Sequence, residues 1–215
     1  LEPPVVPFYP SDDPRLIFAG GSLLGGLLLG LLAALVLDRL DGRIRYPTQV
    51  DREMGLPILG TIPKVRKTFG RKKDEENHAA SVEAFRELRI AVSFACGSAG
   101  PLTFALTSPS EGEGKTFVSV NLAVAFAELG RRTVLVDGDT RRGDAHRLLE
   151  IPRTPGLTDY LSDRTTGEII HPTAYENLSF IPCGSRGGNT PELLASHRMA
   201  QFLGTLKRAY DVVII

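Results

Sequence analysis

The chain lacks an excess of either charge, is poor in cysteine, and has one long stretch with no charge at all. Its 25 basic and 25 acidic residues cancel, which removes the electrostatic footprint of a nucleic-acid partner. Cys96 and Cys183 stand far apart in apolar surroundings. Buried thiols in a reducing compartment are therefore expected, not a disulfide framework or a cysteine metal site. No internal repeat is present. The first residue is Leu1, and the last five residues form the apolar run Asp211-Val212-Val213-Ile214-Ile215. Both ends are expected to be cuts in a longer chain.

The charge-free stretch runs from Leu16 to Leu37. At about 1.5 Å per residue it reaches roughly 33 Å, enough to cross a hydrocarbon core of about 30 Å. A cleaved signal peptide would have a shorter apolar core behind basic residues; here Asp12, Asp13 and Arg15 precede it. Downstream lie Arg39, Arg43, Arg45 and Arg52, so the positive-inside rule places everything after residue 38 in the cytoplasm. Gly21, Gly25, Gly26, Gly30 and Ala34 set small residues four apart, a spacing that lets helices approach closely.

Four segments are expected. Residues 1–15 carry five prolines and read as an extended extracytoplasmic stalk. Residues 16–37 are the transmembrane helix. Residues 38–80 form a juxtamembrane segment and a charged, flexible linker over 65–80. Residues 81–215 form an α/β domain. Its first helix starts at Ser81, with an apolar stripe at Val82, Phe85, Leu88, Val92 and Ala95 and a stop at Gly97. Strands over 102–107, 133–137, 178–182 and 212–215 alternate with helices over 116–129 and from Thr190 through Ala209. That alternation implies a parallel sheet flanked by helices.

Chemistry is carried by Thr107-Ser108-Pro109-Ser110-Glu111-Gly112-Glu113-Gly114-Lys115-Thr116. The phosphate-cradling pattern is G-x-x-x-x-G-K-[ST]. Gly114, Lys115 and Thr116 fit it; Pro109 stands at the first glycine position. A buried strand before and a strong helix after supply the required context. Backbone N–H groups of 111–116 then point at phosphate oxygens at a helix N-terminus. Lys115 neutralises the β- and γ-phosphates, and the Thr116 hydroxyl ligates Mg²⁺. Ser110, Glu111, Gly112, Glu113, Gly114, Lys115, Thr116 and Phe117 form the candidate nucleotide loop. About twenty residues on, Val134-Leu135-Val136-Asp137-Gly138-Asp139 delivers two carboxylates at the end of a buried strand, where open α/β sheets bind ligands. One can hold Mg²⁺ and the other can take a proton from an attacking hydroxyl. Thr116, Asp137 and Asp139 are the candidate metal ligands; Lys115, Asp137 and Asp139 are the candidate catalytic residues. Arg141 and Arg142 follow them.

These residues, together with Gly55-Leu56-Pro57-Ile58-Leu59-Gly60-Thr61-Ile62-Pro63, Glu83-x-x-Arg86-x-x-Arg89 and Asn189-Thr190-Pro191-Glu192-Leu193-Leu194, resemble the bacterial tyrosine kinases (BY-kinases) attached to polysaccharide co-polymerases. The resemblance covers nearly the whole chain. It implies a P-loop NTPase-like fold, ATP and Mg²⁺ as cofactors, and Asp137 as base with Asp139 in the metal sphere. It further implies Glu83, Arg86 and Arg89 as contacts in a ring-like homo-oligomer, and a role in polysaccharide assembly and export at the membrane. The family's third nucleotide motif is an aspartate after the strand at 212–215, which would fall beyond Ile215. Its acceptor is a cluster of C-terminal tyrosines, whereas Tyr9, Tyr46, Tyr160, Tyr175 and Tyr210 are isolated here. An ATP-binding co-polymerase without kinase activity is the alternative. A ParA/MinD-type ATPase would need a signature lysine where Ser110 stands.

Overall fold

The computed structural model of the chain describes residues 14–40, 55–63, 71–97, 100–165, 167–187 and 190–215. Of the stalk expected over 1–15, residues 1–13 lie outside the described residues, as do the arginines at 43, 45 and 52, Tyr9, Tyr46 and residues 65–70 of the linker expected over 65–80; Pro14 and Arg15 instead belong to a helix. The chain divides into two units, residues 1–58 and 59–215.

In the first unit, helix α1 runs over Pro14–Leu40. Its segment Ile17–Leu40 has a mean hydropathy of 2.2 and is long and apolar enough to cross a membrane. Leu23, Leu27, Leu28, Leu29, Leu31 and Leu32, which between them face all sides of the helix, are exposed on the isolated chain. An apolar surface on every side of a helix is suited to lipid rather than water.

The second unit begins with residues 59–63 and helix α2 at Arg71–Cys96. The helix starts ten residues before the expected Ser81, so 71–80 is not a flexible linker. The segment contains no glycine or proline and is rich in Arg, Lys, Glu and Ala, all good helix formers. Phe85 and Val92 of the predicted stripe are buried, with Leu88 packed beside them. Ala95 is exposed and is not part of the packed face. Cys96, expected to be buried, is exposed; Cys183 is buried.

After α2 come β1 (Leu102–Phe104), α3 (Lys115–Ala127) and β2 (Thr133–Val136). Short helices α4 (Ala145–Leu148) and α5 (Leu157–Leu161) follow. Then come β3 (His171–Pro172) and β4 (Leu178–Ile181). The described chain closes with α6 (Thr190–Leu194), α7 (His197–Ala209) and β5 (Val212–Ile214). Helices α6 and α7 are separate because Ser196 caps α7, its hydroxyl accepting from the Met199 N–H. The sheet order is β1-β5-β2-β4-β3. The β1–β5, β5–β2 and β2–β4 pairs are parallel. The four expected strands therefore pair in parallel, and β3, a strand not expected from the sequence, adds an antiparallel edge against β4. A two-residue edge strand folds back through a tight turn, which only antiparallel pairing permits.

Alternation along the strands fills both faces of the sheet. Leu135, Phe180, Val212 and Ile214 pack with α2 and α3. Val134, Val136, Ile181 and Val213 pack with Leu157 and Leu161 of α5 and with Met199, Phe202 and Leu206 of α7. Burial on both faces explains the continuous apolar strands in the sequence. Parallel β2, β4 and β5 all point their C-terminal ends the same way, and the loops there face one crevice.

Candidate functional site

That crevice lies between the β1–α3 loop, the end of β2 and the turn after it. It is a cleft of 710 Å³ lined by Thr107, Glu111, Lys115, Thr116, Asp137 and Asp139, among others. Its floor is built locally. Gly112 and Gly114 take left-handed backbone, φ 80° and 88°, a conformation that side-chain-bearing residues rarely adopt. They turn the chain sharply into α3, whose first-turn N–H groups have no partner within the helix. Gly114 caps α3 without any side-chain bond, so those amides remain available to an anion.

Lys115 crosses the cleft: its Nζ lies 2.9 Å from Asp139 Oδ2. Arg142 pairs with Glu111 between the far turn and the loop. The backbone N–H of Arg142 donates to Asp139 Oδ1 at 2.9 Å. Burial alone would raise the Asp139 carboxyl, but Lys115 and that N–H hold it below the usual range. Asp137 is different. It is buried and accepts the N–H groups of Asp139 at 3.1 Å and Ala145 at 3.3 Å. Burial outweighs those donors and pushes its carboxyl up to about 6. Two carboxylates two residues apart thus sit in opposite regimes, one paired with a cation and one nearly dry.

The cleft brings together Ser110, Glu111, Lys115, Thr116, Asp137 and Asp139, with Arg141 and Arg142 beside them. Gly112, Glu113 and Gly114 contribute backbone to the loop. Phe117 is not in the cleft lining: its ring meets Phe85 edge-on at 5.7 Å, so its side chain fastens α3 to α2. Glu83 and Arg86 form an exposed pair at 3.3 Å. Arg89 instead donates from Nη1 to the Ala125 carbonyl at 2.7 Å, so part of the expected interface motif ties α2 to α3 within one chain.

A polar cluster behind Asp137 was not legible in the sequence. Gly143 packs so tightly that an added Cβ would lie 2.7 Å from Asp137 Oδ2, Asp139 O and Cys183 Sγ. Burial and the nearby Asp137 push the Cys183 thiol up to about 11. Arg153 reaches in from the loop before α5 and donates to the Gly184 carbonyl at 3.0 Å and the Gly143 carbonyl at 3.4 Å. Burial and then the Arg153 charge hold His146 below its ordinary value. The closeness of Gly143 depends on the β4 end, which no local pattern encodes.

Comparison with known proteins agrees with this fold. The family described as "CobQ/CobB/MinD/ParA nucleotide binding domain" matches residues 104–212. The tyrosine-protein kinase Ptk of Acinetobacter johnsonii is 31% identical over 225 residues, which cover 99% of this chain and 30% of that protein. The structure of the BceF tyrosine kinase domain matches with a TM-score of 0.70 and 36% identity, covering 80% of this chain and 75% of that one. The kinase domain of the Escherichia coli tyrosine kinase ETK matches with a TM-score of 0.70 and 30% identity, covering 80% and 72%. The chain spans about 30% of the length of the first curated relatives it matches. A nucleotide-binding domain over half the sequence, with kinase-domain structures matching at 30% identity and above, shows that this chain belongs to the bacterial tyrosine-kinase family.

Proposed function

We propose that the chain is the membrane-anchored kinase portion of a protein-tyrosine autokinase that uses Mg-ATP to regulate capsular or exopolysaccharide polymerisation and export. The observation that carries this reading is the pairing, in one cleft, of Lys115 on Asp139 with a buried Asp137. Transfer to a tyrosine is served by a base for the incoming hydroxyl, and a buried carboxylate with a raised value suits that role.

The donor set suits magnesium. Among the described residues no cluster of three or more His, Cys, Asp or Glu could hold a metal alone. Mg²⁺ is bound through one or two carboxylates plus substrate phosphates, and Thr116, Asp137 and Asp139 would hold it here. Bound Mg-ATP supplies the phosphoryl group and the cation that offsets its charge. The chain's own residues do the rest. The backbone N–H groups of 111–116 would hold the phosphate oxygens. Lys115, which here pairs with Asp139, would neutralise the phosphates. Asp137, with its carboxyl near 6, accepts the proton of a tyrosine hydroxyl at neutral pH. Glu83 and Arg86, exposed together on α2, are proposed to meet a second copy in a ring, with Arg89 bracing α2 on α3 behind them. Helix α1 is proposed to anchor the chain in the inner membrane with the catalytic unit in the cytoplasm, acting with the polysaccharide export machinery and not with nucleic acid.

The test is phosphotransfer from radiolabelled ATP to a tyrosine polymer and to the protein itself, with phosphoamino-acid analysis. Lys115→Met should lower transfer at least ~100-fold, as removal of a charge-stabilising group does, with an unchanged melting temperature. ATP binding without phosphotyrosine would leave the co-polymerase reading instead.

A further inference from the structure

Arg153 lies outside both the phosphate loop and the cleft lining, yet it is tied to the walls around Asp137. Its backbone carbonyl accepts the Gly184 N–H at 3.2 Å, and its Nε donates back to the Gly184 carbonyl at 3.0 Å. Its Nη1 donates to the Gly143 carbonyl at 3.4 Å. One guanidinium therefore joins the end of β4 to the turn after β2. That turn is what holds the carboxylate. The Gly143 N–H donates to the Asp139 carbonyl at 2.6 Å, and the Ala145 N–H donates to Asp137 Oδ2 at 3.3 Å.

The charged and titratable neighbours divide by side. Lys115 is engaged with Asp139 across the cleft. On the buried side stand the Cys183 thiol, the His146 ring and Arg153, whose charge reaches Asp137. Arg153 also keeps Nη2 buried with no hydrogen-bond partner. A buried donor left unmatched is costly, and arginines placed only for stability are normally satisfied. Local rules broken in this way concentrate at functional sites.

We propose that Arg153 is a positioning residue: by clamping the Gly143 and Gly184 carbonyls it fixes the 139–145 turn and so aims the Asp137 carboxylate. The proposal rests on Asp137 being the base of the kinase reaction. Loss of the clamp disturbs the aim of Asp137 while leaving the phosphate loop intact.

The experiment compares wild type, Arg153→Met and Arg153→Lys in the membrane-anchored protein, with ATP and a tyrosine polymer. Arg153→Met should lower kcat at least ~10-fold while the KM for ATP stays within about threefold, since mispositioning acts on the chemical step. Arg153→Lys, which keeps a cation and can still reach a carbonyl, should recover a substantial part of kcat. Amide hydrogen exchange should quicken at Gly143 and Ala145 in Arg153→Met and stay unchanged at Val134, Leu135 and Val136. An unchanged kcat overturns the proposal. So does a loss that Lys does not relieve when exchange also quickens through β2, because that pattern marks general destabilisation. If wild type transfers no phosphate to tyrosine, the kinase reading has failed, and exchange alone decides: quickening confined to Gly143 and Ala145 supports the clamp, and unchanged exchange refutes it.

Discussion

Replacing Asp137 with asparagine should make the nucleotide-free unit more stable at neutral pH while removing its activity. The carboxyl is pushed up to about 6 from an ordinary 3.8, chiefly by burial. That gap corresponds to about 3 kcal/mol of penalty on the ionised form, at roughly 1.4 kcal/mol per pKa unit. The folded-state value lies above the unfolded one, so folding takes up a proton between about pH 4 and 6. The Asp137 contribution to stability is therefore fully present only well below the unfolded value of 3.8 and is lost as pH rises through about 6. Asparagine carries no charge to bury. It keeps one acceptor oxygen, however, where Asp137 uses both, Oδ1 for the Asp139 N–H and Oδ2 for the Ala145 N–H. Setting an amide NH₂ against one of those donors costs about 1–2 kcal/mol. The net gain at pH 7.5 is about 1–2 kcal/mol, or roughly 2–8 °C in a unit of this size. The assay is thermal unfolding in chelator without nucleotide, at pH 7.5 and 4.5. The gain should vanish at pH 4.5, where the folded wild-type carboxyl is protonated and the remaining penalty of about 1 kcal/mol is cancelled by the amide's cost. A lower melting temperature at pH 7.5, or an equal gain at both pH values, would refute the assignment of Asp137 as a charge held at a cost.

Other substitutions probe separate links. Gly143→Ala places a Cβ 2.7 Å from Asp137 Oδ2, Asp139 O and Cys183 Sγ; it should cost about 1–3 kcal/mol, as overpacking does, and abolish transfer, read by denaturant unfolding and the kinase assay. Arg89→Ala removes a charged donor from the Ala125 carbonyl and should destabilise the monomer by about 1–2 kcal/mol. Glu83→Ala and Arg86→Ala break only an exposed pair and should stay within about 0.5 kcal/mol, while sedimentation reports whether they dissolve the oligomer. Phe180→Ala empties a fully buried site in β4 and should cost about 3–5 kcal/mol; a loss under 1 kcal/mol in urea unfolding would contradict the packing described.

What local pattern could reveal is what local physics encodes. Continuous apolar runs at 134–136 and 212–214 have one explanation, burial on both faces of a parallel sheet, and both lie in strands. Gly112 and Gly114 before Lys115 announce a left-handed turn into a helix, and the φ values of 80° and 88° follow. Alternation along β2 correctly carried Asp137 toward the cleft that Lys115 enters. The segment 71–80 misled because high charge suits a solvated linker and a helix equally; the extension of α2 shows which state the good helix formers take. The two-residue β3 has too little pattern to detect, and its antiparallel direction depends on the turn that precedes β4.

Other properties belong to the assembled unit. Cys96 and Cys183 have similar apolar neighbours in sequence, yet one is exposed and the other is buried against Gly143. Arg89 lies in a motif that reads as an outward face, but its partner is a carbonyl on α3. Arg153 gave no signal, because its role depends on Gly143 and Gly184, which only the sheet brings together. The amino-acid order thus determined the phosphate loop, the strand that carries Asp137 and the apolar anchor, since each follows from contacts within a few residues. Burial of Asp137, its raised carboxyl and the clamp behind it were decided by tertiary packing, because desolvation depends on how distant segments close over a group.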